Sequence, residues 1–180
     1  MTPATPLTPA LPPRLAILVA AVALLVGCAP DPGPTPTPTA AFASEEEAFA
    51  AAEATYRAYA DASNSTDLHD PQTFESVYAW LRGDALAAAR ENYSQFYASG
   101  MTRTGDTLFD SFTPISYENS TVTARLCLDV SEVGLVDAEG ISVVPDERAP
   151  RQALEVQFTN AQTSSSLAIS STIATSEIEC

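Results

Sequence analysis

The spacing of apolar side chains changes twice along this chain. A continuous apolar run over residues 15–26 is followed, from about residue 44, by apolar side chains three or four positions apart. After Gly100 the apolar and polar residues alternate. Spacing of three or four is typical of amphipathic helices, and alternation is typical of strands with one buried face. We therefore expect a helical half followed by a strand half.

The helical half contains three predicted helices. The first covers about 44–62 and opens with Ser44 and Glu47, which have the spacing of a capping box. The second covers about 70–82 and starts with a capping aspartate followed by proline. The third covers about 84–99. The apolar positions that define the buried stripes are Phe49, Ala52, Tyr56, Tyr59, Phe74, Val77, Tyr78, Leu81, Leu86, Ala89, Tyr93, Phe96 and Tyr97.

The strand half contains four to five predicted strands. One runs from about 109 to 117 and is interrupted by Pro114, which indicates an edge or bulged strand because proline cannot donate to a ladder. A second alternates over 122–130, and a third is centred on 154–158. The last begins at Leu167, with alternate residues through Ile173 on one face, and ends near Ile178.

This order predicts an α+β domain in which three N-terminal helices pack on a curved antiparallel sheet of four to five strands. Over residues 44–178 the order and length of the elements resemble the cone-shaped fold of nuclear transport factor two-like domains. Ketosteroid isomerases, scytalone dehydratases and polyketide cyclases share that fold. The resemblance implies a cavity between helices and sheet. Another fold of helices on an antiparallel sheet is the alternative.

The apolar run near the N-terminus predicts export. Its 12 residues, 15–26, suit a signal peptide and fall short of the ~20 needed to cross a bilayer. The segment Leu25-Val26-Gly27-Cys28 resembles the lipobox of bacterial lipoproteins. That resemblance implies removal of residues 1–27, cleavage between Gly27 and Cys28, and diacylglyceryl and palmitate-type chains on Cys28. An ordinary signal peptide, or an uncleaved anchor, is the alternative.

A proline-rich stretch separates this cysteine from the predicted domain. Residues 29–41 contain five prolines, which exclude helix and favour polyproline II. Such a stalk would reach roughly 40 Å. The predicted organisation is a signal peptide at 1–27, a lipidated cysteine and linker at 28–41, and one domain at 42–180.

The charge of the chain excludes two classes of partner. It has 23 acidic residues against eight arginines and no lysine, for a net charge of −15. Nucleic acid and anionic lipid head groups both need clustered cations, so neither is an expected charge-based partner. The predicted location is the extracytoplasmic face of the cell membrane, held by the N-terminal lipid.

Two cysteines remain if Cys28 carries lipid. Cys127 and Cys180 would meet an oxidising environment after export, and an even pair there favours a disulfide. Two unpaired thiols, one of them buried, are the alternative.

Few residues of the sequence are candidates for catalysis. His69 is the only histidine, and it lies near acidic residues that could make it a general base. A loop histidine beside a helix cap is the favoured interpretation. One histidine excludes a multi-histidine zinc site. Asp129 with Glu132, and Asp137 with Glu139, provide too few ligands for calcium. We predict no catalytic residue, no metal and no cofactor.

The aromatic residues suggest where a small molecule would bind in a cone-like fold. Tyr56, Trp80, Tyr93 and Tyr97 are candidates to line its cavity, with Arg125 reaching in from the sheet. Aromatic residues at helical spacing also suit an ordinary core, and that interpretation is the favoured one.

Two functions therefore stay open. The first is a non-catalytic binding or interaction role for an envelope protein, a wall component or a small ligand. The second is a small-molecule-binding protein or isomerase-like or cyclase-like enzyme with a helix–sheet cavity. A polar-lined, closed-ended cavity of at least ~300 Å³ would favour the second function, and a filled cone with an exposed apolar patch would favour the first. The polar strand face with Thr121, Thr123 and Arg125 also permits a homodimer.

Overall fold

The computed structural model describes residues 42–180, so the predicted signal peptide, the lipobox-like segment ending at Cys28 and the predicted linker lie outside the described residues. Within 42–180, three α-helices precede an antiparallel sheet, which confirms the predicted α+β class. The helices are α1 (Glu45–Asn64), α2 (Phe74–Tyr78) and α3 (Gly83–Ala98). None of these helices is both long and apolar enough to span a bilayer.

Helix α1 begins as its sequence predicts. The Ser44 hydroxyl accepts a hydrogen bond from the Glu47 amide at 3.1 Å, which satisfies one of the N–H groups left free at a helix start. The Glu47 carboxylate in turn accepts from the Ala43 amide at 2.9 Å, one residue before the position that a standard capping box uses. The inner face of α1 includes the buried residues Ala52 and Tyr56.

The second predicted helix is interrupted. A 3₁₀ turn at Pro71–Thr73 leads into the five-residue α2, a turn follows at 79–80, and the chain is extended at Leu81 and Arg82. The cause is tertiary: the Arg82 amide donates to the Ile169 carbonyl at 2.8 Å, and the Ile169 amide donates to the Trp80 carbonyl at 2.9 Å. The chain thus leaves the helix to cover the open edge of a strand.

Helix α3 has well-defined ends but weak packing. Gly83 starts it at φ +52°, a left-handed conformation that suits glycine. At the other end the Met101 amide donates to Phe96 and the Gly100 amide to Tyr97, the two bonds of a Schellman motif. No α3 side chain is fully buried.

The strands form two antiparallel sheets. A ribbon pairs β1 with β4, and the main sheet has the order β2-β3-β5-β6. The main sheet confirms the predicted four strands, whereas the short ribbon was not expected. The strands are β1 (Thr102–Thr104), β2 (Leu108–Glu118), β3 (Thr121–Asp129), β4 (Gly134–Val136), β5 (Arg151–Asn160) and β6 (Leu167–Ala174).

Strand β2 has the irregularity that Pro114 predicts. It is an edge strand, and its register with β3 shifts on both sides of that proline. The turn into β3 places Asn119 and Ser120 at φ +49° and +64°, as a two-residue hairpin of the primed type requires.

Strand β6 differs from the predicted alternation. Ile169 faces inward opposite Phe158, but a register shift makes Ser171 the partner of Gln157. The faces exchange after this shift, so Ile173 lies opposite Glu155 and is 56% exposed. The strand also ends at Ala174, before the predicted Ile178.

The core lies between the helices and one face of the main sheet. Tyr56, Val77 and Leu81 meet the inward side chains of β3 and β5 there. The members from those two strands are Val122, Ala124, Leu126, Leu154, Val156 and Phe158. These side chains pack as one contiguous cluster within the described residues.

A disulfide joins Cys127 to Cys180, which confirms the predicted pairing. Its Cα atoms are 5.6 Å apart, and 53 positions separate the two residues in sequence. The bond ties the C-terminal tail to β3, and Arg151 supports the tail by donating to the Cys180 carbonyl at 2.9 Å. In the chain-entropy description a loop of this length stabilises the fold by about 4 kcal/mol.

Candidate ligand-binding cavity

A cavity of about 500 Å³ lies between α1, the first half of α3 and the inner face of the main sheet. Its volume falls within the range of small-molecule sites, which runs from about 300 to 1,000 Å³. The wall from α1 includes Tyr56, Tyr59 and Ser63, and the floor includes Leu128 and Leu154.

The cavity exists because of the sequence of α3. This helix lines it with Asp84, Ala85, Ala88, Ala89 and Asn92, which lie on one helical face. Three of the five are alanines, which do not reach the sheet below them. A large apolar residue at these positions would fill the space. The small side chains therefore leave room that the rest of the core does not have.

Two tyrosines supply polar groups inside this mostly apolar space. Tyr56 is 2% exposed, and its ring meets that of Tyr59 edge-on at 5.7 Å between centroids. Burial, with a smaller effect of Tyr59, raises the pKa of Tyr56 well above its ordinary value. Burial, with a smaller effect of Tyr93, raises the pKa of Tyr59 to about 12. Both phenols therefore stay protonated at neutral pH and act as hydrogen-bond donors.

Neither hydroxyl is satisfied by a described residue. The Tyr56 hydroxyl has no hydrogen-bond partner among residues 42–180 and is not fully enclosed, and Tyr56 lines the cavity, so this hydroxyl is available to a ligand there. The same holds for the Tyr59 hydroxyl. Such groups are the kind of directed polar contact that orients a ligand in an apolar pocket.

A hydrogen-bonded side chain holds the rim of the cavity in place. The Asn64 amide nitrogen donates to the Thr107 carbonyl at 2.9 Å, and the Asn64 carbonyl oxygen accepts from the Thr107 amide at 2.9 Å. Thr107 lines the cavity, so this pair of bonds fixes the loop before β2 against the end of α1. Ser63, also in the wall, shares a hydrogen bond of 3.2 Å with the Tyr93 hydroxyl.

Of the five predicted pocket residues, the structure places Tyr56 in the cavity wall. Tyr93 lies behind that wall, where its ring packs against Phe74 at 4.9 Å. Trp80 is half-buried in the turn beside β6, and Tyr97 is 50% exposed near the end of α3.

Arg125 was expected to reach into the cavity, and the structure places it on the other face of the sheet. Its neighbours Ala124 and Leu126 point toward the helices, so the alternation along β3 turns Arg125 away. There its guanidinium donates to the Glu155 carboxylate on β5 at 3.0 Å.

The sequence reasoning missed Tyr59 and the alanines of α3 as lining residues. Tyr59 shares the apolar stripe of Tyr56, so helical spacing already offered a signal for it. The alanines at 85, 88 and 89 gave a weaker signal, because a small residue indicates a void only when the opposing surface is known.

The remaining titratable candidates have structural partners. The His69 ring lies 3.0 Å from the Thr102 hydroxyl in a small exposed cleft. Asp129 accepts from the Ser131 amide and pairs with Arg151, and these contacts lower the pKa of Asp129 below its ordinary value. Asp137 accepts from two amides of its own turn. Residues 42–180 contain no group of three or more side chains placed to hold a metal ion.

No model of a protein family matches the sequence, and no curated protein matches it. Solved structures do share its arrangement of helices and strands. One is the intermembrane space region of the chloroplast protein ARC6, which is 16% identical with a TM-score of 0.49 over 68% of this chain and 92% of that chain. Another is Aln2 from a Streptomyces species, 16% identical with a TM-score of 0.45 over 73% and 91% of the two chains.

A ketosteroid isomerase-like protein from Erwinia carotovora atroseptica also matches, 16% identical with a TM-score of 0.40 over 71% of this chain and 97% of that chain. It belongs to the group that the element order resembles. With every identity below 25% and every TM-score below 0.5, these likenesses concern the general fold and carry no argument about activity or ligand.

Proposed function

We propose that this protein is a lipid-anchored binding protein at the extracytoplasmic face of the cell membrane. Its domain would take up a small, mostly apolar molecule in the cavity between α1, α3 and the sheet. The observation that carries the proposal is the cavity itself, about 500 Å³ in volume, with apolar walls and the unsatisfied hydroxyl of the buried Tyr56.

The compartment is supported by two independent features. The disulfide between Cys127 and Cys180 suits a protein that matures outside the reducing cytoplasm. The lipobox-like segment ending at Cys28 implies a lipid there, and two acyl chains hold a protein far more firmly than one. The proline-rich stretch from 29 to 41 would then set the domain away from the membrane surface.

Binding is favoured over catalysis because the lining offers no proton acceptor deep in the cavity. General acid–base chemistry needs a group that titrates near the working pH and touches the substrate. The raised pKa values of Tyr56 and Tyr59 keep both phenols protonated, and the one carboxylate in the lining belongs to the exposed Asp84. An isomerase-like enzyme is the second candidate, because Asp84 and the two phenols line the same cavity.

A neutral dye tests the binding site directly. We expect N-phenyl-1-naphthylamine, which fluoresces in apolar surroundings, to bind saturably and with 1:1 stoichiometry to oxidised residues 42–180. Ala89→Phe would fill the cavity and weaken this binding at least tenfold. Ala87→Phe is the matched control, because Ala87 lies on the same helix but is exposed and outside the lining.

Circular dichroism and thermal unfolding first establish that each variant is folded. A folded wild-type fragment that fails to bind the dye, or one that binds it equally well with Phe at position 89, would refute the cavity as a ligand site.

The anchor is tested separately in cells. We expect a clickable palmitate analogue to label the full-length protein, and Cys28→Ser to abolish both the label and retention in the membrane fraction. Absence of label on the wild-type protein would remove the lipid anchor from the proposal and leave the cavity unaffected.

A further inference from the structure

The charge that lines the cavity is negative. Asp84 is the one charged side chain among its lining residues in 42–180. It lies in the first turn of α3, and no ion pair joins it to an arginine of the described chain. An anion in the cavity would therefore meet one carboxylate and no cationic side chain among the lining residues.

The arginines of the described chain are all committed elsewhere. Arg57, Arg125 and Arg151 form ion pairs with carboxylates, and Arg90 lies over the ring of Tyr78 at 5.5 Å. The others donate to backbone carbonyl oxygens, and they are Arg82, Arg103 and Arg148. With a chain net charge of −15, the field around the domain attracts cations and repels anions.

The tyrosines inside the cavity would also interact favourably with a cation. Tyr56 and Tyr59 both line it, and the face of a tyrosine ring attracts an ammonium group. Their hydroxyl oxygens have lone pairs that accept hydrogen bonds from such a group. Because Tyr56 is almost fully buried and its hydroxyl has no described partner, this is a formed polar contact point and not an open surface.

We propose that the cavity selects ligands by charge, taking up an apolar amine whose ammonium group lies between Asp84 and the two tyrosines, and rejecting carboxylate-bearing or phosphate-bearing molecules of the same size. This inference rests on the proposed function, since it specifies the ligand class of the same cavity.

Three naphthalene compounds of nearly equal shape separate charge from apolar binding. They are 1-naphthylmethylamine, 1-naphthylmethanol and 1-naphthoate, which are cationic, neutral and anionic at neutral pH. We expect the amine to bind the oxidised 42–180 domain most tightly and the carboxylate least, with at least a tenfold difference at low salt. Raising the salt concentration should reduce this difference, because salt screens charges near the surface.

Two charge-removing variants on α3 then test whether Asp84 causes the preference for the amine. Asp84→Asn should weaken the amine about fivefold, as expected for one partly exposed ion pair, and so reduce the preference for the amine over the alcohol. Glu91→Gln is the matched control: it removes the same charge from the same helix at an exposed position outside the lining. It should change the affinity for the amine by less than twofold.

The outcomes distinguish the two proposals. Binding of the alcohol with no preference for amine over carboxylate would overturn charge selection and keep the cavity as a binding site. Equal effects of the two variants on the amine would overturn the role of Asp84, since the general field alone would then explain the preference. If none of the three compounds binds, the proposed function fails and this inference fails with it.

Discussion

Helices α1 and α3 lie over the same sheet but are packed in opposite ways. Helix α1 buries Ala48, Ala52, Thr55, Tyr56 and Ala60, whereas α3 buries no residue completely. Both sequences are rich in alanine and have apolar residues at helical spacing. The difference shows that alanine has two uses here: on α1 it allows a close approach to the sheet, and on α3 it leaves a space between helix and sheet.

The local contacts of the two helices reinforce this contrast. Helix α1 has a side-chain cap at Ser44, and Thr55 is tied to the Ser165 hydroxyl at 2.6 Å. Helix α3 has no side-chain cap at its start. A ligand site formed between one fixed wall and one loosely packed wall admits a guest at little cost, because few contacts must be broken on the α3 side.

The largest expected effect comes from replacing one alanine by phenylalanine on each of the two helices. Ala52→Phe should destabilise the domain by about 3 kcal/mol, because Ala52 is fully buried in close-packed surroundings. Ala89→Phe should be neutral or stabilising, because the added ring enters existing space. Urea unfolding measures both. Equal losses of stability would show that the space beneath α3 is not a preformed cavity.

A second test measures how stability depends on pH and concerns Tyr59, in the α1 wall of the cavity. Folding raises the pKa of Tyr59 to about 12, above its value of about 10 in an unfolded chain. The contribution of the Tyr59 phenol to the free energy of unfolding is complete below pH 10. It is lost as the pH rises toward 12, because the phenol ionises at a lower pH in the unfolded chain than in the folded one. Between pH 9 and pH 11 the wild type should therefore lose about 1 kcal/mol more than Tyr59→Phe. Parallel loss in the two proteins would show that the phenol is not desolvated.

The cap of α1 gives a smaller effect. Ser44→Ala removes the bond to the Glu47 amide and should cost about 1 kcal/mol in urea unfolding. Ser94→Ala on α3 is the control, since Ser94 is exposed in the middle of that helix, and its effect should stay within about 0.5 kcal/mol. Unchanged stability of the Ser44 variant would mean that the three acidic residues of the first turn hold the helix start without it.

The smallest effect on stability is expected at Tyr56. Tyr56→Phe removes a hydroxyl that has no partner in the described chain, so the free energy of unfolding should change by less than about 0.5 kcal/mol. The same variant should weaken 1-naphthylmethanol several-fold if this hydroxyl bonds to ligands, whereas naphthalene, which has no polar group, should bind unchanged. A marked loss of stability would reveal a structural role for the hydroxyl.

Sequence reasoning recovered those parts of the fold that depend on neighbours along the chain. Helix α1 was expected at 44–62 and occupies Glu45–Asn64, because its capping residues and apolar stripe are local. The edge position of Pro114 followed from its missing N–H group. The pairing of Cys127 with Cys180 followed from counting thiols once Cys28 was set aside.

Two of the errors occurred where distant segments meet. The second helix stops early because residues 80–82 pair with Ile169, which lies far away in sequence. Alternation in β6 fails at Ile173 because a register shift against β5 exchanges the faces. The error at Arg125 has a different cause: its strand was predicted correctly, and the alternation with the apolar residues Ala124 and Leu126 already placed Arg125 on the opposite, polar face.

The amino-acid sequence by itself determined the helix-then-strand order, the acidic charge, the candidate lipid attachment at Cys28 and the thiols available for a disulfide, because each follows from composition or from residues a few positions apart. The tertiary structure decided which alanines pack and which leave a cavity, and which tyrosine hydroxyls face it. A void is a property of two surfaces and their separation, and the residues of one surface do not specify the distance to the other.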